Sequence, residues 1–276
     1  MGARSVQLSL PVKQVLAFTQ RDMQSWASYR TAVITQIINI FIGVFSWGVA
    51  AAYVQKPVQE MYNSDYISFL VVGVAIGNLI MPIVQGVERQ LNPWTIETVL
   101  MTGISTPIFV IGNITWTYVI SVLSFIPYLF IGTYFFHAKL NVNIPAALLA
   151  FTISAAILMG LAMISTGIRI VTKSTDPVTW AVNVLQSLFA GVAFPVIYLN
   201  TILFPGAATV SWFLPQTWVY HLSRLAMLTG PSLATPAVLL DFAKGAAFAA
   251  ILLPVGYWVL KWGIARSKRE GTLGWY

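Results

Sequence analysis

With 276 residues, 58% of them hydrophobic and only 8% charged, this chain does not have the composition of a soluble domain. Such a domain needs roughly a quarter of its residues charged to hydrate its surface. The formal net charge of +7 calls for no nucleic-acid partner, because the basic residues are sorted along the chain by topology, and the absence of cysteine excludes a disulfide framework, a thiolate metal site and a cysteine nucleophile.

The first 30 residues are too polar to cross a bilayer, but Val12, Val15, Leu16, Thr19, Met23 and Trp26 recur at helical spacing. Lys13, Gln20, Arg21 and Gln24 fall largely on the other side. Residues 1–30 are therefore expected to form an amphipathic helix lying in the membrane interface, with Pro11 near its start. A helix needs about 20 apolar residues to cross roughly 30 Å of hydrocarbon. Six stretches qualify: 31–54, 66–86, 106–136, 144–168, 178–199 and 238–262. No apolar core with a small-residue cleavage site precedes the first of them, so it is expected to insert and stay. The fold class is all-α and polytopic, in one domain without internal repeat.

Between the second and third spans, residues 87–105 carry Glu88, Arg89 and Glu97, with Pro93 suited to a first helical turn. A short helix over 94–101 or an ordinary solvated connection fits this segment. Residues 200–236, before the last span, are apolar but broken by Pro205, Gly206, Pro215, Gly230, Pro231 and Pro236. Irregular backbone survives at membrane depth only where protein or a watery cavity surrounds it. Re-entrant helical pieces are expected here, with a small external cap as the alternative. Gly73 and Gly77 on the second span permit close helix approach, as in a dimer.

Eleven of the 15 basic residues fall on one set of segments: Arg4, Lys13, Arg21, Arg30, Arg89, Arg169, Lys173, Lys261, Arg266, Lys268 and Arg269. Only Lys56, Lys139, Arg224 and Lys244 fall on the other. The basic side is cytoplasmic by the positive-inside rule, which places both termini inside. The spans are nearly free of ionisable side chains. Asp241 and Lys244 are expected as an interfacial pair, and His137 and His221 as isolated interfacial residues without a metal-binding partner. The chain also lacks a Walker phosphate loop, so it offers transporter-like spans without a visible source of energy.

Several segments resemble the permease subunits of ABC type-2 exporters, the group that includes daunorubicin-resistance-type permeases. Glu88, Thr95, Ile96, Glu97, Val99, Leu100, Thr102, Ile104, Ser105 and Gly112 match that family's charged element after the second span. Trp94, Gly103 and Asn113 stand where the family has Gly, Pro and Lys. Residues 190–199 and 214–225 are similar to its Gly-x-x-hydrophobic-Pro and Leu-Pro-x-Thr-aromatic elements, and the basic, glycine-containing tail is similar too.

The resemblance implies a type V exporter-like fold in the cell (plasma or inner) membrane. It implies no catalytic, metal or cofactor site in this chain, with ATP and magnesium bound by a separate ATPase subunit. A second permease chain, as a homodimer, and membrane lipids complete the expected partners. Residues 87–105 would be the coupling helix, contacting the ATPase through Glu88, Arg89, Leu91, Trp94, Thr95 and Glu97. Phe45, Trp47, Trp116 and Tyr118 would line an apolar pathway for a lipid-like or drug-like cargo. Phe194, Pro195, Pro215, Trp218 and Arg224 would form the outward gate. An ion-coupled transporter or channel without an ATPase is the alternative.

Overall fold

The structure is a computed structural model that describes residues 10–28, 34, 35, 38–43, 45, 62, 64–90, 104–172 and 177–270. Every regular element among them is helical: α1 (Leu10–Ser28), α2 (Tyr66–Gln90), α3 (Thr106–Phe136), α4 (Ile144–Thr172), α5 (Pro177–Phe189), a 3-10 turn (Val196–Tyr198), α6 (Leu199–Ile202), α7 (Ala207–Trp212), α8 (Pro215–Leu228) and α9 (Pro236–Arg269). Four of these, α2, α3, α4 and α9, are long and apolar enough to cross a membrane. The expected first span, 31–54, lies for the most part outside the described residues.

Local chemistry sets the helix ends. Pro107 sits in the first turn of α3, where its missing N–H costs nothing. His137 ends that helix in the left-handed conformation, at φ +55°. Asn143 caps α4, its side-chain oxygen accepting from the Ala146 N–H at 3.0 Å. The fifth expected span, 178–199, is a continuous helix only in its first part. Its helix α5 stops at Phe189, because Gly191 turns with φ +73° and Pro195 follows before the chain resumes as the 3-10 turn. Thirteen residues reach only about 20 Å at 1.5 Å per residue, short of a full crossing.

α2 lies at the centre, with Phe69, Val72, Ile76, Ile80 and Ile83 all buried. Val71 near its start meets Gly132 near the end of α3, and the Lys139 N–H donates to Ser68 Oγ at 2.6 Å, so the two helices run antiparallel. Among the described residues, α4 and α9 form the most extensive helix pair. They run parallel along a seam of glycines: Gly160 and Gly256 meet, and so do Gly167 and Gly263. A methyl group added at Gly256 would lie 2.5 Å from the Gly160 carbonyl oxygen. Backbone therefore touches backbone, a packing that small residues permit between helices in lipid.

α1 is the helix expected before the first span, but its apolar stripe divides differently. Phe18 packs on Gly112 of α3 and is buried with Asp22, which pairs with Arg21 at 2.7 Å. Leu16 and Met23 remain 49% and 45% exposed, on a surface suited to lipid.

Candidate functional site

α8 organises the part of the molecule where polar chemistry gathers. It is too short to cross a membrane, yet it is buried nearly all round, from Gln216 to Arg224. Trp212 and Trp218 hold its N-terminal end, the Trp218 indole N–H donating to the Trp212 carbonyl at 2.9 Å. Asn141 and Asn143 hold the other end. Their backbone N–H groups donate to the Met227 and Ala226 carbonyls at 2.9 and 3.0 Å.

Arg224 is the largest fully buried side chain of the described residues, only 2% exposed. The sequence reading counts it with the few basic residues outside the basic-rich segments and with the expected outward gate, in the broken apolar stretch before the last span; in the structure it is buried there. Its Nη1 donates to the Gly191 carbonyl at 2.5 Å and its Nη2 to the Val192 carbonyl at 2.6 Å. The guanidinium also lies over the Phe69 ring, 3.6 Å from its centroid. Two carbonyls freed by the break after α5 thus receive charged donors, and a helix end carrying partial negative charge receives a cation. No carboxylate lies within ion-pair distance of Arg224 among the described residues.

The glycines opposite make room for this arrangement. A methyl group at Gly73 would collide with Arg224 Nη2, and one at Gly77 would lie 2.9 Å from the Tyr220 hydroxyl. This glycine pair receives α8 of the same chain, so the close approach it allows is intramolecular.

One turn before Arg224, His221 joins a second polar chain and is not the isolated residue expected. Its Nε2 lies 3.2 Å from Asp241 Oδ2, and its Nδ1 lies 2.9 Å from the Tyr62 hydroxyl. A carboxylate only accepts, so Nε2 donates to Asp241, and Nδ1 shares the second hydrogen bond with the Tyr62 hydroxyl. Asp241 Oδ1 in turn accepts from Lys244 Nζ at 3.1 Å, the pairing expected from their spacing. Trp212, Trp218, His221, Asp241 and Lys244 line an open pocket of about 420 Å³ between α7, α8 and α9. It lies at the end of α9 opposite Arg266, Lys268 and Arg269. Among the described residues no three of His, Asp and Glu converge to hold a metal ion.

The residues expected as an outward gate are only partly brought together. Pro215 starts α8, Trp218 and Arg224 point into the bundle, and Pro195 is buried in the break that Arg224 holds. Phe194 instead faces outward, 51% exposed. Of the expected pathway residues, Phe45 packs edge-on against Phe136 at 5.6 Å. Tyr118 bridges α3 and α4 by donating to the Phe151 carbonyl at 2.7 Å. Trp116 is half-buried, and Trp47 lies outside the described residues. Glu88 and Arg89 fall in the last turn of α2, while Leu91, Trp94, Thr95 and Glu97 lie outside the described residues.

Sequence reasoning passed over Tyr62 and gave Trp212 and Gly191 no role of their own, although Gly191 is the glycine of the 190–199 element. The available signal was the run from Trp218 through His221 to Arg224, whose three-residue spacings put polar and aromatic groups on one helical stripe. No protein-family model matches the sequence, and no curated protein matches it either.

Proposed function

We propose that this chain is the membrane-spanning subunit of an ATP-driven exporter of the ABC type-2 kind, working with separate ATPase subunits and a second permease chain. The observation that carries this reading is the seat of α1. Phe18 locks that amphipathic helix onto Gly112, a few residues into α3. The segment that enters α3 is 87–105, the proposed coupling helix. A push on that segment reaches α1 and α3 together, which suits a chain moved by a partner. No catalytic residue is needed for this, only a bias between two packed arrangements.

In this proposal the chain has six spans, with 31–54 and the α5 region completing the four long helices. Both termini face the cytoplasm of a cell membrane. α6, α7 and α8 are the re-entrant elements that close the outward end, held there by Arg224. The cargo is amphipathic, in keeping with spans so poor in charge. Glu88 and Glu97 pair with the ATPase, while Leu91 and Trp94 anchor the contact.

Purification of the full chain from its native host in mild detergent, with mass spectrometry of what stays bound, tests the proposal. A stoichiometric nucleotide-binding subunit that is lost when Glu88 and Glu97 are changed to Ala supports it. Preparations free of any ATPase across several detergents, with nucleotide present, would overturn it.

One observation favours a second reading. Buried ionisable residues inside membrane bundles often mark ion pathways, and the chain Tyr62–His221–Asp241 beside a buried Arg224 is such a set. An ion-coupled transporter would use it without an ATPase. Transport by the purified chain alone in vesicles, driven by a proton gradient, is the outcome that selects this reading.

A further inference from the structure

We propose that the pocket between α7, α8 and α9 binds a primary ammonium carried on an apolar body, and that Lys244 is its built-in competitor. Asp241 is the recognising anion. It is part-exposed, and the His221 ring fixes its orientation, itself braced by Tyr62 from the buried side. His221 is thus a positioning residue. The Trp212 and Trp218 rings, 5.0 Å apart and tilted by 50°, form the apolar wall. Phe248 extends that wall behind Trp218, at 5.9 Å.

The place of the ligand ammonium is marked by a cation the chain already owns. Lys244 Nζ sits 3.1 Å from Asp241 and 5.8 Å from the centroid of the Trp218 ring. A carboxylate and an indole face converging on one point is the arrangement that selects an ammonium. Lys244 holds that point weakly, because its side chain is 47% exposed and an exposed pair three residues apart adds little. An incoming ammonium takes over the same two partners, and its apolar body gains the indole surface. The pocket volume of about 420 Å³ lies in the range that accepts a drug-sized ligand.

The test is equilibrium dialysis of 1-naphthylmethylammonium against the full chain in nanodiscs of neutral lipid, with empty nanodiscs as the blank. The neutral 1-naphthalenemethanol and the anionic 1-naphthoate serve as matched probes. We expect saturable binding of the ammonium alone, weakened at least about tenfold by Asp241→Asn, since a charge-assisted bond is lost. Lys244→Met should tighten it by about threefold, the worth of an exposed ion pair. Opposite effects from two residues that touch each other are not the signature of damaged folding. If Asp241→Asn does not fold, Lys244→Met decides by itself. An unchanged or weakened affinity in Lys244→Met overturns the proposal, and tighter binding of the naphthoate would make the pocket an anion site instead. No ATPase takes part in the measurement, so its failure leaves the exporter proposal standing, and the reverse holds too.

Discussion

Arg224 of α8 reaches across to the carbonyl of Gly191, 33 residues earlier in the chain, and donates to it at 2.5 Å. The bond joins a buried cation to the place where the apolar segment 178–199 stops being helical. With Val192 as its second acceptor, the guanidinium replaces the hydrogen bonds that a continuing helix would have made.

Replacing this residue should release the break. Arg224→Met removes two charge-assisted bonds, each worth about 1.5 kcal/mol or more, and leaves one buried and one part-buried carbonyl unpaired. We expect a loss of about 3 kcal/mol in thermal denaturation of the detergent-solubilised chain. Amide exchange over residues 190–195 should quicken at the same time. Arg224→Lys should recover part of the loss, because an ammonium on a single stem cannot span both carbonyls as a planar fork does.

Gly73 tests the same contact from the other side. Gly73→Ala places a methyl group against Arg224 and 2.5 Å from the Val192 carbonyl oxygen. Overpacking of this kind costs about 1–3 kcal/mol. In the Arg224→Met background the cost should shrink, since residues in contact couple by about 0.5–3 kcal/mol. Additive losses in that double-mutant cycle would refute the contact.

Much of this is legible in the sequence, and the remainder fails for identifiable reasons. The extent of α3, from Thr106 to Phe136, follows from its unbroken apolar run. The start of α2 at Tyr66 and that of α4 at Ile144 follow in the same way. The end of α5 does not, because residues 190–199 are as apolar as a span and only the turn at Gly191 and the proline at 195 interrupt them. The full burial of Arg224 and the partners of His221 escape a sequence reading for a related reason. A short helix flanked by prolines reads as a re-entrant piece or a cap, but which of its faces is buried is settled only by its neighbours. Burial of such a helix depends on glycines at Gly73 and Gly77, more than 140 residues away in the chain, and no local pattern reports that.

Two further glycines should respond differently, each according to its local crowding. Gly206 has φ +96°, and the place an added methyl group would take has no neighbouring atom within 4 Å, so Gly206→Ala should cost only the backbone strain, about 1 kcal/mol. Gly263→Val instead drives a branched side chain into the Gly167 carbonyl, against backbone that cannot turn aside. Monodisperse elution on size exclusion should survive the first change and be lost with the second. Equal tolerance of both would contradict the seam.

Tyr62→Phe should weaken the fold through a group it does not itself carry. The buried Nδ1 of His221 loses its hydrogen-bond partner, at an expected cost of about 1–3 kcal/mol. The imidazole nitrogen NMR shifts of His221 should move with the substitution. Unaltered shifts would mean that Tyr62 and His221 do not share a proton.

The glycine seam has a consequence for how the protein is made. α4 exposes its glycine face as soon as it enters the bilayer, but the helix that covers that face is α9. The ribosome must first add the whole of residues 173–235 and then α9 itself, which takes several seconds at ordinary synthesis rates. During that interval the glycine face of α4 lacks its final partner and is open to lipid or to another newly made helix. Newborn chains are therefore most vulnerable to mispairing and quality control before α9 arrives, and the order of translation, as much as the finished packing, shapes the yield of correctly assembled protein.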